Sequence, residues 1–468
     1  MAAINWNEEK HMNALIDKIK VMLAVAVCKG ATAVSRLLGH GGSSKPGELA
    51  LKLVPDILEK IHLPETVIAV TGSNGKTSTV EMITSVLRSA GKKTAWNKEG
   101  SNQIEGVATF LLNKCTFSGR VKAQVAVIET DERYARLTFQ YFRPTHYLIM
   151  NLYRDQLTRN GHPEDVYKAI RDSIYPESQL ILNADEPLVS KLGVERGQKN
   201  VLYYGASFSE DMGSVNPGIY DDAAFCPVCG KRMSNGSQQG HPGMYHCDAC
   251  GFARPNTQWT MTGMDLCTNR LSINGTCRIR LELGNTAQCY NTLAAFAVTS
   301  QVGIDPDTIV NTLNDFHSHM ERAVQYQLSN NSGTALISKH ENSVSYDQSI
   351  QVIRDDQRDC QVMIIVDAIS RKYNTSDTSW LWDIDFEELN LPHVKRIFLS
   401  GTYCHDLTVR MRLAGIPREK IIVIESIQEA VRQMDLVHEE TSYVMTCFSD
   451  IQKFKTLSHV RVVSGECT

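Results

Sequence analysis

No run of about 18 apolar residues occurs in the 468-residue sequence, which leaves no candidate for a membrane-spanning helix. The longest tempting stretch, Val21–Val27 (VMLAVAV), is uncharged but short. Lys18, Lys20 and Lys29 flank it, and Gly30-Ala31-Thr32 is a poor signal-peptidase site. It therefore reads as an amphipathic or buried first helix rather than a signal peptide. Charge of one sign is also missing. With 48 basic and 52 acidic residues the net charge is −4, too small a field to gather nucleic acid except through local patches. A paired-cysteine framework is absent as well, because the 13 cysteines are odd in number and widely spread. Nine of them read as small buried hydrophobes in a reducing cytoplasm.

A composition of 42% hydrophobic and 21% charged residues is that of a soluble globular protein and argues against disorder. The length exceeds one ordinary core and implies two or three domains. Residues 1–65 read as a helical segment interrupted by the loop His40–Glu48 (HGGSSKPGE). From Thr66 strand and helix patterns alternate: Thr66–Thr71, Val125–Ile128, His146–Met150 and Gln179–Leu182 are apolar strand-like runs. That alternation predicts an α/β fold with a mostly parallel sheet covered on both faces, over a central domain 66–322. Residues 205–260 break the rhythm with Gly, Pro, Asn, Ser and Cys and read as an insertion, with a ribbon at 220–256. A C-terminal α/β domain, 323–468, follows; Val362–Val366, Arg396–Leu399 and Lys420–Ile424 are its strand candidates.

Thr71-Gly-Ser-Asn-Gly-Lys-Thr77 follows a strand and opens a helix. Gly72 and Gly75 let backbone N–H groups approach phosphate oxygens, with Asn74 between them and Ser78 just inside the helix. The helix N-terminus adds partial positive charge. Lys76 can bridge the outer phosphates of ATP, and the Thr77 hydroxyl can hold Mg²⁺. The alternative is a chance Gly-rich turn, but strand, glycines, Lys, Thr and helix are all in register. Phosphoryl transfer also wants acidic metal ligands, and Glu129 ends the strand Val125–Ile128 where α/β sheets face their ligands. Asp131 and Glu132 follow it as weaker candidates; a solvated acidic loop is the alternative, and the glycine loop upstream favours the metal role.

Cys226-Pro-Val-Cys229 and Cys247-Asp-Ala-Cys250 are separated by 17 residues. Two CxxC knuckles aim four thiolates at one point, which suits a closed, structural Zn²⁺ site. Free cysteines or a redox motif are the alternatives, but a redox CxxC is usually single. Gly230 and Gly251 follow the knuckles where turns need positive φ. His241 and His246 lie near without completing a ligand pattern.

The loop TGSNGKTS resembles that of the Mur ligases and folylpolyglutamate synthases. The likeness continues in Leu182-Asn-Ala-Asp-Glu-Pro187, in Leu283-Gly-Asn with Tyr290-Asn-Thr-Leu-Ala-Ala295, and in Phe316 with Glu321-Arg322. More specifically, the chain resembles the MurT family, the ligase-like subunits of bacterial isoglutaminyl-lipid II synthases. That likeness rests on Leu37–Leu51, Asn151–Gly161, the cysteine module and Asp377–Glu387.

The resemblance implies an ATP- and Mg²⁺-dependent ligase that turns the α-carboxylate of D-glutamate in lipid II into an acyl phosphate and amidates it. Asn291 then belongs on the adenine side and Arg322 near the phosphates. It also implies a glutaminase partner of the GatD kind, because the chain has no nucleophile-elbow cysteine. Asp377 is the residue nominated to complete that partner's catalytic triad. The implied place is the cytoplasm, peripheral at the inner membrane face. Asp377, Asp383, Asp385 and Glu387 sit among Trp380, Trp382 and Phe386, and otherwise read as solvated acids at a domain edge.

Five departures stand out. Gln156 replaces the Mg²⁺-binding histidine of ordinary Mur ligases, and Arg171 stands where their carbamylated lysine is expected and could supply its charge directly. The family's KNPxGFN appears as Lys339–Gln348 and its TYT-like segment as Thr446–Ser449, and too few residues precede Thr66 for a UDP-binding domain. A folylpolyglutamate-synthase-like ligase, a zinc-ribbon nucleic-acid-binding NTPase and an inactive scaffold are the other readings. The ribbon's few cations, Lys231, Arg232 and Arg254, disfavour the second.

Overall fold

A computed structural model describes residues 2–39, 44–97, 102–156, 160–207, 224–238, 241–265, 268–281, 285–317, 323–369 and 375–457. Two compact units separate. The first takes the described residues up to Leu152, from Glu164 to 207 and from 224 to 317; the second takes 153–156, 160–163 and those from 323 onward.

The first unit begins with α1 (Ala2–Leu37), α2 (Lys45–Leu53) and the single turn α3 (Ile57–Lys60). Then come β1 (Thr66–Thr71), α4 (Lys76–Ser89), β2 (Thr94–Trp96), α5 (Ile104–Lys114), β3 (Val125–Glu129) and α6 (Ala135–Phe139). They are followed by β4 (His146–Ile149), α7 (Pro163–Arg171), β5 (Gln179–Asn183), α8 (Pro187–Glu195) and β6 (Val201–Ala206). A two-stranded ribbon, β7 (Ser234–Gln238) and β8 (His241–His246), precedes β9 (Trp259–Asp265), β10 (Arg270–Ile273) and β11 (Cys277–Arg280). Helices α9 (Thr286–Gln301) and α10 (Pro306–Asn314) close the unit.

The main sheet runs β11-β10-β9-β6-β5-β4-β1-β3-β2. It is parallel from β2 to β9, with an antiparallel edge at β9, β10 and β11. Central strands such as β1 (TVIAVT) are β-branched and almost wholly buried because helices cover both faces. The period of two divides the strands between layers. Ile68, Val70, Val125 and Val127 pack toward α4 and α9, while Val67, Ala69, Ala126 and Ile128 face the opposite clusters. Of the run Leu271–Leu283, strand-like in sequence, the residues up to Arg280 form a hairpin: Asn274 and Gly275 take left-handed φ and turn β10 into β11.

The second unit holds β12 (Ala323–Gln327), β13 (Ser332–Ser338), α11 (Ser343–Asp355), β14 (Cys360–Ile365), β15 (Val394–Ser400), α12 (Cys404–Leu413), β16 (Ile421–Val423), α13 (Ile427–Asp435), β17 (Thr441–Cys447) and α14 (Ile451–Leu457). Its sheet order is β12-β13-β17-β14-β15-β16, parallel except at β12. Two short 3₁₀ turns, Ser379–Asp383 and Phe386–Leu389, lie between β14 and β15. Among the described residues no helix is long and apolar enough to cross a membrane.

Candidate functional site

In the first unit β1 ends at Thr71 and the chain turns sharply into α4. Gly72 and Gly75 take φ of +144° and +85°, conformations a side chain opposes. A Cβ on Gly75 would stand 2.0 Å from Asn291 Oδ1, so the Asn291 carboxamide lies against the bare α-carbon. The loop is clamped from the strand next to β1. Asn151 Oδ1 accepts from the Asn74 N–H at 2.8 Å, its Nδ2 donates to the Asn74 carbonyl at 3.1 Å, and the Ser73 N–H donates to the Asn151 carbonyl at 3.0 Å.

The loop's cation and hydroxyl each meet an acid. Lys76 Nζ donates to the Gly72 carbonyl and to Glu132 Oε1, the latter at 2.5 Å, with both side chains nearly buried. The Thr77 hydroxyl donates to Glu129 Oε2 at 2.9 Å. Glu129 is fixed in turn by a two-way backbone clasp: its N–H donates to Asn97 Oδ1, and Asn97 Nδ2 donates to its carbonyl, both at 2.8 Å. Asn102 Nδ2 reaches Glu129 Oε1 at 3.4 Å. Buried carboxylates survive only when paired, and these three, Glu129, Asp131 and Glu132, are about 3% exposed. They form an acidic wall beside the loop rather than a solvated segment. Ser78, on the first turn of α4, is half-buried.

Asn97, Asn102 and Asn151 carried no signal as site residues. Each acts by holding another group, and only the fold brings them to it. The same holds for the network around Asp185. This buried carboxylate accepts from Arg254 Nε at 2.5 Å, the Tyr290 hydroxyl at 2.7 Å and the Ala206 N–H at 2.6 Å. Burial pushes its pKa above the ordinary carboxylate value, opposed by the Arg254 charge. Asp185 thus ties the loop after β5, helix α9 and the end of the cysteine module together.

In that module Cys226, Cys229, Cys247 and Cys250 bring their Sγ atoms within 4.8 Å of one another. The Cys226–Cys250 and Cys229–Cys247 pairs are each 3.5 Å apart. Four thiolates at the corners of a tetrahedron with bonds of about 2.3 Å require separations of this order, so the set fits Zn²⁺. The knuckles are alike: Gly230 N–H donates to the Cys226 carbonyl and Gly251 N–H to the Cys247 carbonyl, both at 2.8 Å, with φ of +73° and +75° at the glycines. His246 turns to Asp248 instead of the thiols, at 3.2 Å, and the His241 side chain lies outside the described residues. Tyr245 stacks on Phe252 and its hydroxyl bonds Ser190 and, at 2.9 Å, the Ala184 carbonyl. The module is therefore docked on the loop that carries Asp185.

Arg171 ends α7 exposed, its guanidinium 3.1 Å from Asp172. Arg322 lies outside the described residues.

In the second unit the segment after Leu152 is held by the turn before α11. Asp155 accepts from Lys339 Nζ and Asn342 Nδ2, both at 2.8 Å. The Gln156 N–H donates to the Glu341 carbonyl at 2.8 Å, and both residues hold φ of +48°. Two non-glycine residues in left-handed conformation, joined directly, mark a locally strained junction. Asp377 is exposed and its Oδ1 accepts from the Ser379 N–H at 2.8 Å. The acids beyond it do not all face solvent. Asp385 is buried, the Asp383 side chain is only 8% exposed, and Glu387 is bound two-handed by the buried Arg410 at 2.9 and 2.6 Å. Burial pushes Asp347 up to about 7, helped by the charges of Asp385 and Asp383, and raises Asp385 to about 6.

Comparison with known proteins fits this arrangement. Residues 70–218 match the Mur ligase middle domain and residues 340–451 the MurT ligase C-terminal domain. The sequence is 27% identical over 447 residues to the lipid II isoglutaminyl synthase (glutamine-hydrolyzing) subunit MurT of Streptococcus pneumoniae R6, covering 94% of this chain and 97% of that one. The same subunit of Staphylococcus aureus COL is 27% identical, covering 88% of this chain and 92% of that one. Among solved structures, a pseudomurein peptide ligase type C from Methanothermus fervidus superposes with a TM-score of 0.65 at 20% identity, covering 88% of this chain and 84% of that one. MurF from Acinetobacter baumannii gives 0.61 at 17% identity, covering 87% and 80%.

Proposed function

The chain belongs to the Mur ligases, with a C-terminal domain of the MurT type, and from that premise we propose that it amidates the α-carboxylate of D-glutamate in the lipid II stem peptide. It would do so at the expense of ATP, through an acyl phosphate. The observation that carries this reading is the glycine loop with Lys76 and Thr77 set against Glu129 and Glu132, in a chain related almost end to end to lipid II isoglutaminyl synthase subunits.

The chemistry is positioning and charge neutralisation. The N-terminus of α4 and the loop amides receive the β- and γ-phosphates. Lys76 turns from Glu132 toward them and offsets the charge that builds as the γ-phosphoryl group passes to the carboxylate oxygen, leaving ADP. Asn291, pressed on Gly75, fixes the loop's nucleotide side. Thr77 and Glu129 would hold Mg²⁺, which would supply positive charge to offset that of the phosphates. Ammonia then attacks the acyl carbon, phosphate departs, a proton is lost and the amide remains. The four cysteines would hold Zn²⁺ in a structural role, because four thiolates would fill every position of a tetrahedral ion.

Ammonia comes from a glutaminase subunit. Asp377 is exposed on the second unit, where its carboxylate is available to orient an imidazole of the partner, as a Cys–His pair requires. Work on lipid II places the chain peripherally at the inner membrane face.

The test is mass spectrometry of lipid II after incubation with the chain, Mg·ATP and ammonia. A decrease of about 1 Da, acid to amide, is expected, and it vanishes in Lys76→Ala. Unchanged substrate despite ATP turnover overturns the reading. Asp377→Asn should keep ammonia-dependent amidation and lose the glutamine-dependent reaction with the partner present; equal loss of both would remove Asp377 from the triad.

A further inference from the structure

Asp185 joins two parts of the first unit that the sequence keeps apart, the cysteine module and the nucleotide loop. On the module's side the second knuckle sets where Arg254 stands. The Cys247 N–H donates to the Phe252 carbonyl at 2.8 Å, and the Arg254 N–H donates to the Tyr245 carbonyl at 3.1 Å. Tyr245 and Phe252 stack between these bonds, their ring centroids 5.5 Å apart. The module's buried apolar cluster is Cys226, Met233, Tyr245, Cys247 and Phe252, so two of its five residues belong to the knuckles themselves. A core that small does not hold a fold alone, and the order of this segment depends on the four thiolates being held together.

From there Arg254 reaches out of the module. Its Nε donates to Asp185 Oδ1 at 2.5 Å and its Nη2 to the Ala206 carbonyl at 2.7 Å. The pair lies over the bare α-carbon of Gly205, where a Cβ would stand 2.7 Å from both Arg254 Nη2 and Asp185 Oδ1. The other carboxylate oxygen, Oδ2, accepts from the Tyr290 hydroxyl at 2.7 Å. Tyr290 stands in the second turn of α9, and the next residue, Asn291, lies against Gly75. One buried carboxylate thus links the knuckle to the glycine loop. Asp185 is 2% exposed. Without the guanidinium its charge would be stranded in the interior, a state a carboxylate escapes by taking a proton or by turning away. Either change disturbs the acceptor that Tyr290 uses, and with it the start of α9.

The geometry points to Arg254 as a positioning residue for the nucleotide: through Asp185 and Tyr290 it holds α9 so that Asn291 closes on Gly75, and the cysteine module thereby sets the loop's affinity for ATP. This rests on the nucleotide-binding reading of the loop. Binding free energies are reciprocal, so nucleotide in the loop should tighten the module's hold on metal by the same factor.

The experiment is calorimetry of Mg·ATP binding to the full chain, beside hydrogen exchange of residues 72–79 in the nucleotide-free protein. Arg254→Met should weaken ATP binding about tenfold and speed exchange in that segment. Stripping zinc from the wild-type chain with a chelator that spares Mg²⁺ should do the same. Arg254→Met/Asp185→Asn, which removes the stranded charge and keeps an oxygen for Tyr290, should recover most of the affinity. A cycle with Asn291→Ala separates positioning from stability. If Arg254 acts through Asn291, Arg254→Met causes no further loss in that background, whereas a role in stability alone makes the two losses add. Should Arg254→Met fail to fold, Tyr290→Phe removes one hydroxyl, leaves the ion pair whole and carries the same cycle. Wild-type affinity in the single variant, or additive losses in the cycle, would overturn the proposal. No heat from Mg·ATP in the wild-type chain would instead fail the nucleotide reading. The exchange measurement then still decides the coupling: faster exchange at residues 72–79 in Arg254→Met upholds it, and unchanged exchange overturns it.

Discussion

Replacing Gly75 by alanine tests whether the glycine loop is built as described. Two separate terms oppose the methyl group. The residue holds φ of +85°, where an L side chain costs about 1–2 kcal/mol. The new Cβ would also stand 2.0 Å from Asn291 Oδ1 and 2.9 Å from Met150 Cε. Relieving such overlap by displacing packed side chains costs about 1–3 kcal/mol. Gly75→Ala should therefore destabilise the first unit by about 2–5 kcal/mol, as the two terms combine. The terms are separable, because Asn291→Ala removes most of the overlap and none of the backbone strain. In the double variant the penalty should fall to about 1–2 kcal/mol, a coupling of at least about 1 kcal/mol between two residues 216 positions apart in sequence. Urea unfolding of the full chain followed by two probes is the assay, since two units need not unfold together. Calorimetry with Mg·ATP reports whether the loop still accepts phosphate. Wild-type stability and nucleotide affinity in Gly75→Ala, or zero coupling in the cycle, would refute both the loop geometry and the place of Asn291.

Lys76→Met should strand Glu132 without its cation and destabilise the chain by about 3–5 kcal/mol; adding Glu132→Gln should restore stability but not ATP turnover, and a Lys76→Met chain as stable as wild type would show that the pair is not formed. Stripping metal with a chelator should abolish hydrogen-exchange protection in the cysteine module while β1 keeps its own, and protection unchanged by chelation would remove the metal from the account. Asp347 binds its proton up to about pH 7 in the folded chain but only to about pH 4 unfolded. The folded state then holds the extra proton between those values, so this group's contribution to stability falls as pH rises from about 4 to about 7 and is level above. The full effect is no more than about 4 kcal/mol, less whatever solvent screens at its exposed edge. Asp347→Asn should flatten that slope in pH-dependent unfolding of the second unit, and an unchanged slope would place the titration elsewhere.

What could be read in the sequence is what local chemistry constrains. Gly72 and Gly75 are legible because a sharp strand-to-helix turn calls for positive φ, which glycine takes at least cost. The cysteine module is legible because two CxxC knuckles have few other uses. Strands such as β1 and β14 are legible because burial on both faces demands an unbroken apolar run. Strands β13 (SGTALIS) and β17 (TSYVMTC) are not, although β17 is buried throughout. Their Ser and Thr residues imitate a turn-rich segment, and tertiary burial overrides that composition. The hydroxyls are accommodated singly, as where the Tyr326 and Ser442 hydroxyls bond at 2.6 Å.

The supporting groups of the site were illegible for a deeper reason. Asn151 matters to Asn74, Asn97 to Glu129, and Arg254 and Tyr290 to Asp185, across 77, 32, 69 and 105 positions of sequence. Nothing local distinguishes such an asparagine or arginine from a surface one. Charge misleads in the same way. Asp383 and Asp385, set among Trp380, Trp382 and Phe386, looked like solvated acids; Asp385 is buried and the Asp383 side chain nearly so. A buried carboxylate needs partners to offset its desolvation. Asp385 shares a hydrogen bond with Glu387 and is left with a raised pKa, whereas Glu387 receives Arg410, whose guanidinium also bonds the Leu381 and Ile384 carbonyls at 3.3 and 2.6 Å. Arg410 thereby fixes the 3₁₀ turn Ser379–Asp383 that begins two residues after Asp377. Any role of Asp377 toward a partner depends on an arginine 33 residues downstream, and that dependence is a property of the fold, not of the motif.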